Sequence, residues 1–477
     1  MARTGDLACP TPKLEMFIDG NWRSGEPGEK VINPADGSVI ADLPHASPAD
    51  LDDAVAAAQR GFEVWRKISP RQREAIILRA ADNLAAHAED IAQSLVLDQG
   101  KTIAEARAEV QVARERIIWD CDGRPPPVRP HRARRAGADQ AGAAPAARRG
   151  GSVHAMELPA RLTHAQGGRR AIRRLLDHPE GRGGNPRRCD RPGARIRRGG
   201  RAGWRRQPGV RPPADISANL IPRPEVKLVT FTGSVPVGKH LAALCGSHMK
   251  PAIMELGGNS PVVIWKDVDP TAAAAAAVRG KARNAGQVCV SPTRFIIHEE
   301  IYDTFVGAFG QGAAALRIGT GNDPALEMGP LANARRLEAV EGYIADAVRR
   351  GARLVAGGRR IGIQASCFPM TIHADAPDDA RAMTEEPFGP LALCNKVATL
   401  DQAIARANAT SFGLSAYAFT DTASVAARIA AEVNCGSMTL NHYVSSFPDL
   451  PFGGIMESGY GREGGTEGLI VTHSPVP

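Results

Sequence analysis

The amino-acid sequence predicts an α/β protein built on parallel sheets, and three observations carry that prediction. Residues 225–231 are apolar at Val226, Leu228, Val229 and Phe231 and run into Thr232-Gly233-Ser234 ahead of helix-compatible sequence, a unit of strand, glycine turn and helix. Further on, apolar runs of strand length at 262–265, 296–298 and 354–356 alternate with helical stretches at 272–277, from Ile301 onward, and opening at Met328-Gly329-Pro330. Finally, 477 residues, 43% of them hydrophobic and 23% charged, suffice for two or three domains around a large buried core.

From the N-terminus, 17–22 and 31–40 read as short strands joined by turn residues, with Asp19-Gly20 as a hairpin signal. Two helix starts follow. Ser47-Pro48-Ala49-Asp50 places a capping hydroxyl before a proline at the first helical position, and Ser69-Pro70-Arg71-Gln72 repeats this with Gln at the capping-box position. Ile76, Ile77, Ala80, Leu84 and Ala88 keep helical spacing, and 101–119 reads as a long charged helix.

Charge and cysteine usage narrow the function classes. The chain is net +8, yet 122–213 alone holds 23 Arg, no Lys and six acidic residues, a net +17, so the rest is acidic. Arginine without lysine, and without aromatic residues to stack on bases, argues against a nucleic-acid partner. No apolar run reaches membrane-spanning length, and the first 17 residues do not read as a secretory signal. Eight cysteines without CxxC pairing argue against a metal centre and suit a reducing cytoplasm.

Segment 122–213 has no Phe, no Tyr and one Trp, and its composition reads as disorder. The genetic code offers a sharper expectation, a compensated frameshift. Reading each codon's last two bases with the first base of the next, 153–160 can encode Phe-Thr-Pro-Trp-Asn-Phe-Pro, with the Trp forced by Met156 followed by Glu157. In the same register 166–171, 178–186 and 205–211 can encode Lys-Val-Ala-Gly-Ala, Leu-Lys-Ala-Ala-Glu-Glu-Thr-Pro and Val-Val-Asn-Leu-Val-Phe.

The candidate nucleophile is Cys289, in Asn284-Ala285-Gly286-Gln287-Val288-Cys289-Val290-Ser291-Pro292-Thr293-Arg294, where glycine and proline can hold the thiol on an exposed turn. A cysteine between valines is more often a small buried hydrophobe, so the weight rests on its company. Met254-Glu255-Leu256-Gly257-Gly258-Asn259-Ser260-Pro261 lies upstream and Glu385-Glu386-Pro387-Phe388-Gly389-Pro390 downstream. With Phe231-Thr232-Gly233-Ser234 and Pro451-Phe452-Gly453-Gly454, these strings in this order resemble the NAD(P)-dependent aldehyde dehydrogenase superfamily, closest in flavour to its succinate-semialdehyde group.

The resemblance implies a Rossmann-type NAD-binding domain from 1–121 and 214–257, its centre replaced by the anomalous 122–213; an α/β catalytic domain at 258–457; and an oligomerisation segment at 458–477. Cys289 would attack an aldehyde and Glu255 would activate the water that hydrolyses the thioester. Gly233, Ser234, Leu256, Gly257, Glu386 and Phe388 would hold the cofactor. The alternate register supplies the family's oxyanion asparagine across the codons of Glu157 and Leu158, and its ribose lysine across those of Glu180 and Gly181. A glutamate three residues beyond that lysine favours NAD over NADP. Met456 stands where the family usually has lysine, and the ending Thr472-His473-Ser474-Pro475-Val476-Pro477 puts the family's homodimer or homotetramer in doubt. A second reading is a non-catalytic relic that has lost the asparagine and the lysine.

Overall fold

Asp19 and Gly20 both take left-handed backbone angles (φ 52° and 77°). They close β1 (Met16–Ile18) on β2 (Asn21–Arg23), with Phe17 opposite Trp22, the hairpin that Asp-Gly signals. The computed structural model describes residues 14–122, 213–362, 366–465 and 467–468. Residues 123–212, on which the readings of disorder and of a shifted frame fall, and 469–477 at the expected oligomerisation end, lie outside that set.

β3 (Glu26–Ile32) and β4 (Val39–His45) pair antiparallel. α1 (Pro48–Trp65) and α2 (Pro70–Ala86) both open with the expected capping boxes: Asp50 N–H donates to Ser47 Oγ (3.2 Å) and Gln72 N–H to Ser69 Oγ (3.3 Å). The periodicity that ran on to Ala88 spans two helices, because His87 (φ −110°, ψ 18°) leaves helical geometry before α3 (Ala88–Gln99). α4 (Ile103–Asp122) packs on α2 and α3 through Leu84, Leu95, Ile103 and Ala106, all buried.

α5 (Pro213–Leu220) leads to the strand, glycine turn and helix unit. β5 (Val229–Thr232) runs parallel to β6 (Ala252–Glu255), with α6 (Val235–Ser247) between them. Ser234 is the residue before the first turn of α6, and its side chain caps nothing.

The main sheet has seven strands. β7 (Ser260–Ile264) and β8 (Pro292–His298) lie at its centre, joined through α7 (Pro270–Ala282). β8 is buried along all seven residues, as a parallel strand covered on both faces must be. α8 (Tyr302–Ala314) then brings Phe305 and Phe309 against Phe295, with ring centroids 6.1 and 4.9 Å away; such pairs each contribute about 0.5–1.5 kcal/mol beyond area burial. The helix expected to open at Met328-Gly329-Pro330 begins later: α9 (Ala334–Arg349) starts where the Asn333 side chain accepts from Arg336 N–H, while Met328 bridges to Ile318.

β9 (Arg353–Ala356), β10 (Thr371–Ala374), α10 (Arg381–Thr384), β11 (Leu391–Val397) and α11 (Leu400–Asn408) follow. The chain continues through β12 (Phe412–Gly413), β13 (Ser415–Phe419), α12 (Ala423–Glu432), β14 (Ser437–Leu440), β15 (Ile455–Met456) and β16 (Gly459–Tyr460). The order is β14-β13-β7-β8-β11-β10-β9, parallel except at one edge, where β9 runs antiparallel to β10. β16 is likewise antiparallel to β6. The expectation of parallel sheets therefore holds through the main sheet and fails at β9 and β16, each antiparallel to its neighbour. Among the described residues, no helix is long and apolar enough to cross a membrane.

Candidate active site

α7 ends at Ala282, and the chain then turns sharply. Asn284 (φ 50°, ψ 35°) and Ala285 (φ 52°, ψ 39°) are left-handed, followed by Gly286 at φ 69°. Such angles cost roughly 1–3 kcal/mol for each non-glycine residue, so something must hold them. Asn284 N–H donates to Glu105 Oε1 on α4 (2.6 Å), the Asn284 amide donates to Gln287 O (2.9 Å), and Gln287 Oε1 accepts Ala332 N–H (2.9 Å). A second turn follows immediately, closed by Ser291 N–H donating to Val288 O (2.9 Å), with Cys289 at its second position. The thiol is thus half-buried at a tip, without a disulfide.

Glu255 ends β6, next to β5 and β16. It is 2% exposed, and neither carboxyl oxygen has a hydrogen-bond partner among the described residues. A strand-end carboxylate with a structural job would be paired, because an unpaired buried carboxylate is costly. Burial pushes Glu255 up to about 9; the Glu463 carboxylate adds to this and Arg462 opposes it. Burial likewise pushes the Cys289 thiol up to about 12, with the charges of Glu386 and Glu255 adding, and Arg283 and the residue's own backbone N–H opposing. The sulfur and the Glu255 carboxyl therefore lie within electrostatic reach of each other, both uncharged at neutral pH.

The strings that stood apart in sequence meet here. Gly258 lies against the main chain of the Cys289 turn: an added Cβ would sit 2.3 Å from Cys289 O. One added at Gly286 would sit 2.1 Å from Gly389 O. Gly258 N–H donates to Glu386 Oε1 (3.0 Å), and the Asn259 amide donates to Ala382 O (3.0 Å) and Glu385 O (2.9 Å). Arg294, 1% exposed, donates to three carbonyls, Asn259 O, Arg406 O and Ala407 O, at 2.9–3.1 Å. It ties the two strings to the C-terminal end of α11.

The remaining candidates fall around this centre. Gly233 and Ser234 are exposed at the start of α6, and Gly233 N–H donates to Glu255 O (3.1 Å). Ser234's uncommitted side chain leaves the first-turn amides of α6 available to an anion, which fits a dinucleotide phosphate. Leu256 faces the core against Gly238, so only its backbone can serve a ligand. Gly257 has no room for a side chain, since an added Cβ would meet Glu386 Oε2 at 2.5 Å. Burial pushes Glu386 up to about 7. Phe388 is held left-handed (φ 47°) under Arg336, 5.3 Å above its ring. Gly453 packs against Glu255, and Met456 is exposed with φ 54°.

Sequence reasoning missed Arg283, Arg294, Arg336, Lys281 and Tyr417. An intact strand-to-helix pattern does not mark which of its polar residues turns inward, although a lysine and an arginine beside an apolar run were a usable signal for Lys281 and Arg294. Beside the turn lies a cavity of about 360 Å³ between α7 and the 441–444 loop, lined by Arg283, Val288, Val290, Ser291, Tyr417 and His442 among others. It flanks Cys289 on both sides, but neither Cys289 nor Glu255 lines it.

Comparison with known proteins bears on the same residues. The aldehyde dehydrogenase family profile matches 22–122 and 210–472, breaking off across the anomalous stretch. The chain is 38% identical over 487 residues to a 4-(hydroxymethyl)benzenesulfonate dehydrogenase of Comamonas testosteroni, covering 97% of this chain and 96% of that protein. It is 33% identical over 442 residues to the NADP(+) succinate-semialdehyde dehydrogenase 1 of Mycobacterium tuberculosis, covering 92% and 96%. An aldehyde dehydrogenase crystal structure from Brucella melitensis biovar abortus 2308 superposes with a TM-score of 0.78 at 29% identity, covering 99% and 98%. A thiol on a strained turn, an unpartnered buried carboxyl beside it and relatives matched along nearly their whole length agree: the chain belongs to the aldehyde dehydrogenase family.

Proposed function

We propose that the chain oxidises an aldehyde bearing a remote anionic group, such as succinate semialdehyde or a sulfonated aldehyde, to the carboxylic acid, with NAD or NADP as hydride acceptor. The observation that carries the reading is the Glu255 carboxyl, buried without a partner and electrostatically coupled to the Cys289 thiol. Cys289 gives its proton to solvent and its sulfur bonds to the carbonyl carbon, the C=O π pair moving to oxygen. The resulting oxyanion is met by the backbone N–H of Cys289; the asparagine the family adds exists only in the alternate reading register across Glu157 and Leu158, outside the described residues. As the oxyanion collapses the C–H pair leaves as hydride, for which a bound nicotinamide dinucleotide would supply the acceptor. The C–S bond stays as a thioester until Glu255, as carboxylate, takes a proton from the attacking water; the C–S bond then breaks and the sulfur is reprotonated. Gly233, Ser234, the backbone of Leu256, Gly257, Glu386 and Phe388 would hold the cofactor. In this reading 1–121 with 214–257 serve the cofactor, 258–457 carry the nucleophile and 458–477 serve assembly with further copies, as a homodimer or homotetramer. The unbridged cysteines among the described residues suit a reducing compartment.

Arg283 supports the anionic substrate. It is exposed at the cavity beside the turn, without an ion pair among the described residues, and two relatives act, by name, on compounds carrying a sulfonate or a carboxylate. Arg283→Gln is expected to raise KM roughly 10- to 100-fold for carboxylated or sulfonated aldehydes, the scale of a charge-assisted hydrogen bond. A neutral aldehyde of similar size should change little; equal changes for both would remove Arg283 from the substrate site.

A relic is favoured by one observation, the break in the family match between 122 and 210. Purified chain that is soluble but neither binds NAD(H) nor forms NADH with an aldehyde panel would establish it. Resequencing the DNA across codons 120–215 would decide whether compensating single-base changes are present.

A further inference from the structure

We propose that Tyr417 and Lys281 are positioning residues for the nucleophile, clamping from beneath the turn that presents Cys289. The proposal rests on Cys289 as the nucleophile. Tyr417 comes from β13 and is 1% exposed; its hydroxyl donates to Val290 O at 2.7 Å. Lys281 comes from the last turn of α7 and is also 1% exposed. Its ammonium donates to Ser291 Oγ (3.1 Å) and Thr293 Oγ1 (3.3 Å), and Thr293 Oγ1 donates in turn to Ser291 O (3.1 Å). Two buried polar groups from two different elements thus converge on Val290, Ser291 and Thr293, just past the thiol.

Neither group is explained by packing. Phenylalanine would fill the Tyr417 site between Tyr443 and the turn, and methionine would fill that of Lys281, without desolvating a hydroxyl or an ammonium. Among the described residues Lys281 has no carboxylate in contact; burial holds it down to about 7, and Glu386 acts on it only through space. What the two groups do share is the backbone of one turn. Beside Arg283, the Cys289 N–H favours its thiolate, and the direction of that N–H is set by the turn closed between Val288 O and Ser291 N–H. With the Val290 carbonyl and the Ser291 side chain fixed, that amide and the sulfur keep one orientation. With either released, the turn can rock about the other.

The test uses the full chain as wild type, Tyr417→Phe, Lys281→Met and the double variant, each with its melting temperature. Mass spectrometry follows alkylation of the Cys289 peptide by iodoacetamide, separating it from the other cysteines, and kcat and KM are measured wherever turnover is detectable. Each single variant is expected to slow Cys289 alkylation and kcat roughly three- to tenfold with KM within twofold, the scale of one buried hydrogen bond. The double variant should lose less than the product of the single losses, because both groups act on the same turn. Alkylation at or above the wild-type rate in Tyr417→Phe, or strictly multiplicative losses, overturns the proposal. If Lys281→Met does not fold, Tyr417→Phe alone decides. Turnover surviving Cys289→Ala would instead remove the nucleophile assignment, and the alkylation rates would still report whether the turn is clamped.

Discussion

Cys289→Ala is expected to abolish aldehyde-dependent NADH formation, by a factor of roughly 10⁴ or more, since a covalent route is removed and only binding and oxyanion contacts are left. The loss is large because nothing nearby can replace the sulfur. Of the cysteines among the described residues, Cys245, Cys367 and Cys394 are buried in cores, and Cys121 and Cys435 sit on other elements. The substitution removes one small atom from a half-buried tip, so the melting temperature should stay near that of wild type, and a dinucleotide should still bind. The measurement is NADH absorbance with a panel of aldehydes beside a thermal melt. Undiminished turnover in the alanine variant would end the thioester mechanism.

Glu255→Gln is expected to have two separable effects. Thioester hydrolysis falls roughly 10²- to 10⁴-fold with the general base gone, so an acyl-enzyme builds up and NADH appears as a burst equal to one turnover. The second effect is on stability and needs no substrate. Burial raises the carboxyl from 4.5 to about 9 in the folded protein, so between those values the native state keeps a proton that the unfolded chain has released. Stability from this group is complete below the unfolded value and is lost as pH rises through the folded value. At pH 7 the loss amounts to roughly 3 kcal/mol. Glutamine does not titrate, so the variant should gain on wild type steadily from pH 5 to pH 9 in paired denaturation curves. A difference independent of pH would mean that the carboxyl is not held protonated. The same elevation predicts that wild-type hydrolysis quickens as pH rises towards 9, where the carboxylate becomes available.

Much of the architecture could be read beforehand because it is written in local chemistry. Asp19-Gly20, Ser47-Pro48 and Ser69-Pro70 each specify one turn or cap whatever lies around them. Where the outcome depended on distant partners, the reading slipped: Met328-Gly329-Pro330 pairs with 318 and leaves the helix start to Asn333, and β9 reverses at a sheet edge. The thiol and carboxyl were singled out by the strings around them. That the carboxyl would lack any partner was not readable, since it follows from what β5, β16 and Gly453 do not offer it. The supporting cations were marked only by a charge beside an apolar run, which does not say what they meet. Arg294 looks like any strand-end arginine until the carbonyls of 259, 406 and 407 close around it.

The glycines at 258 and 286 have a longer reach than their own positions. Because each presses peptide against peptide, the seating of the Cys289 turn against 258 and 389 is dictated by the thickness of the main chain and not by the bulk of neighbouring side groups. Descendants of this scaffold can therefore exchange nearly every residue around the cavity wall, widening or narrowing what enters, while that turn keeps its seat.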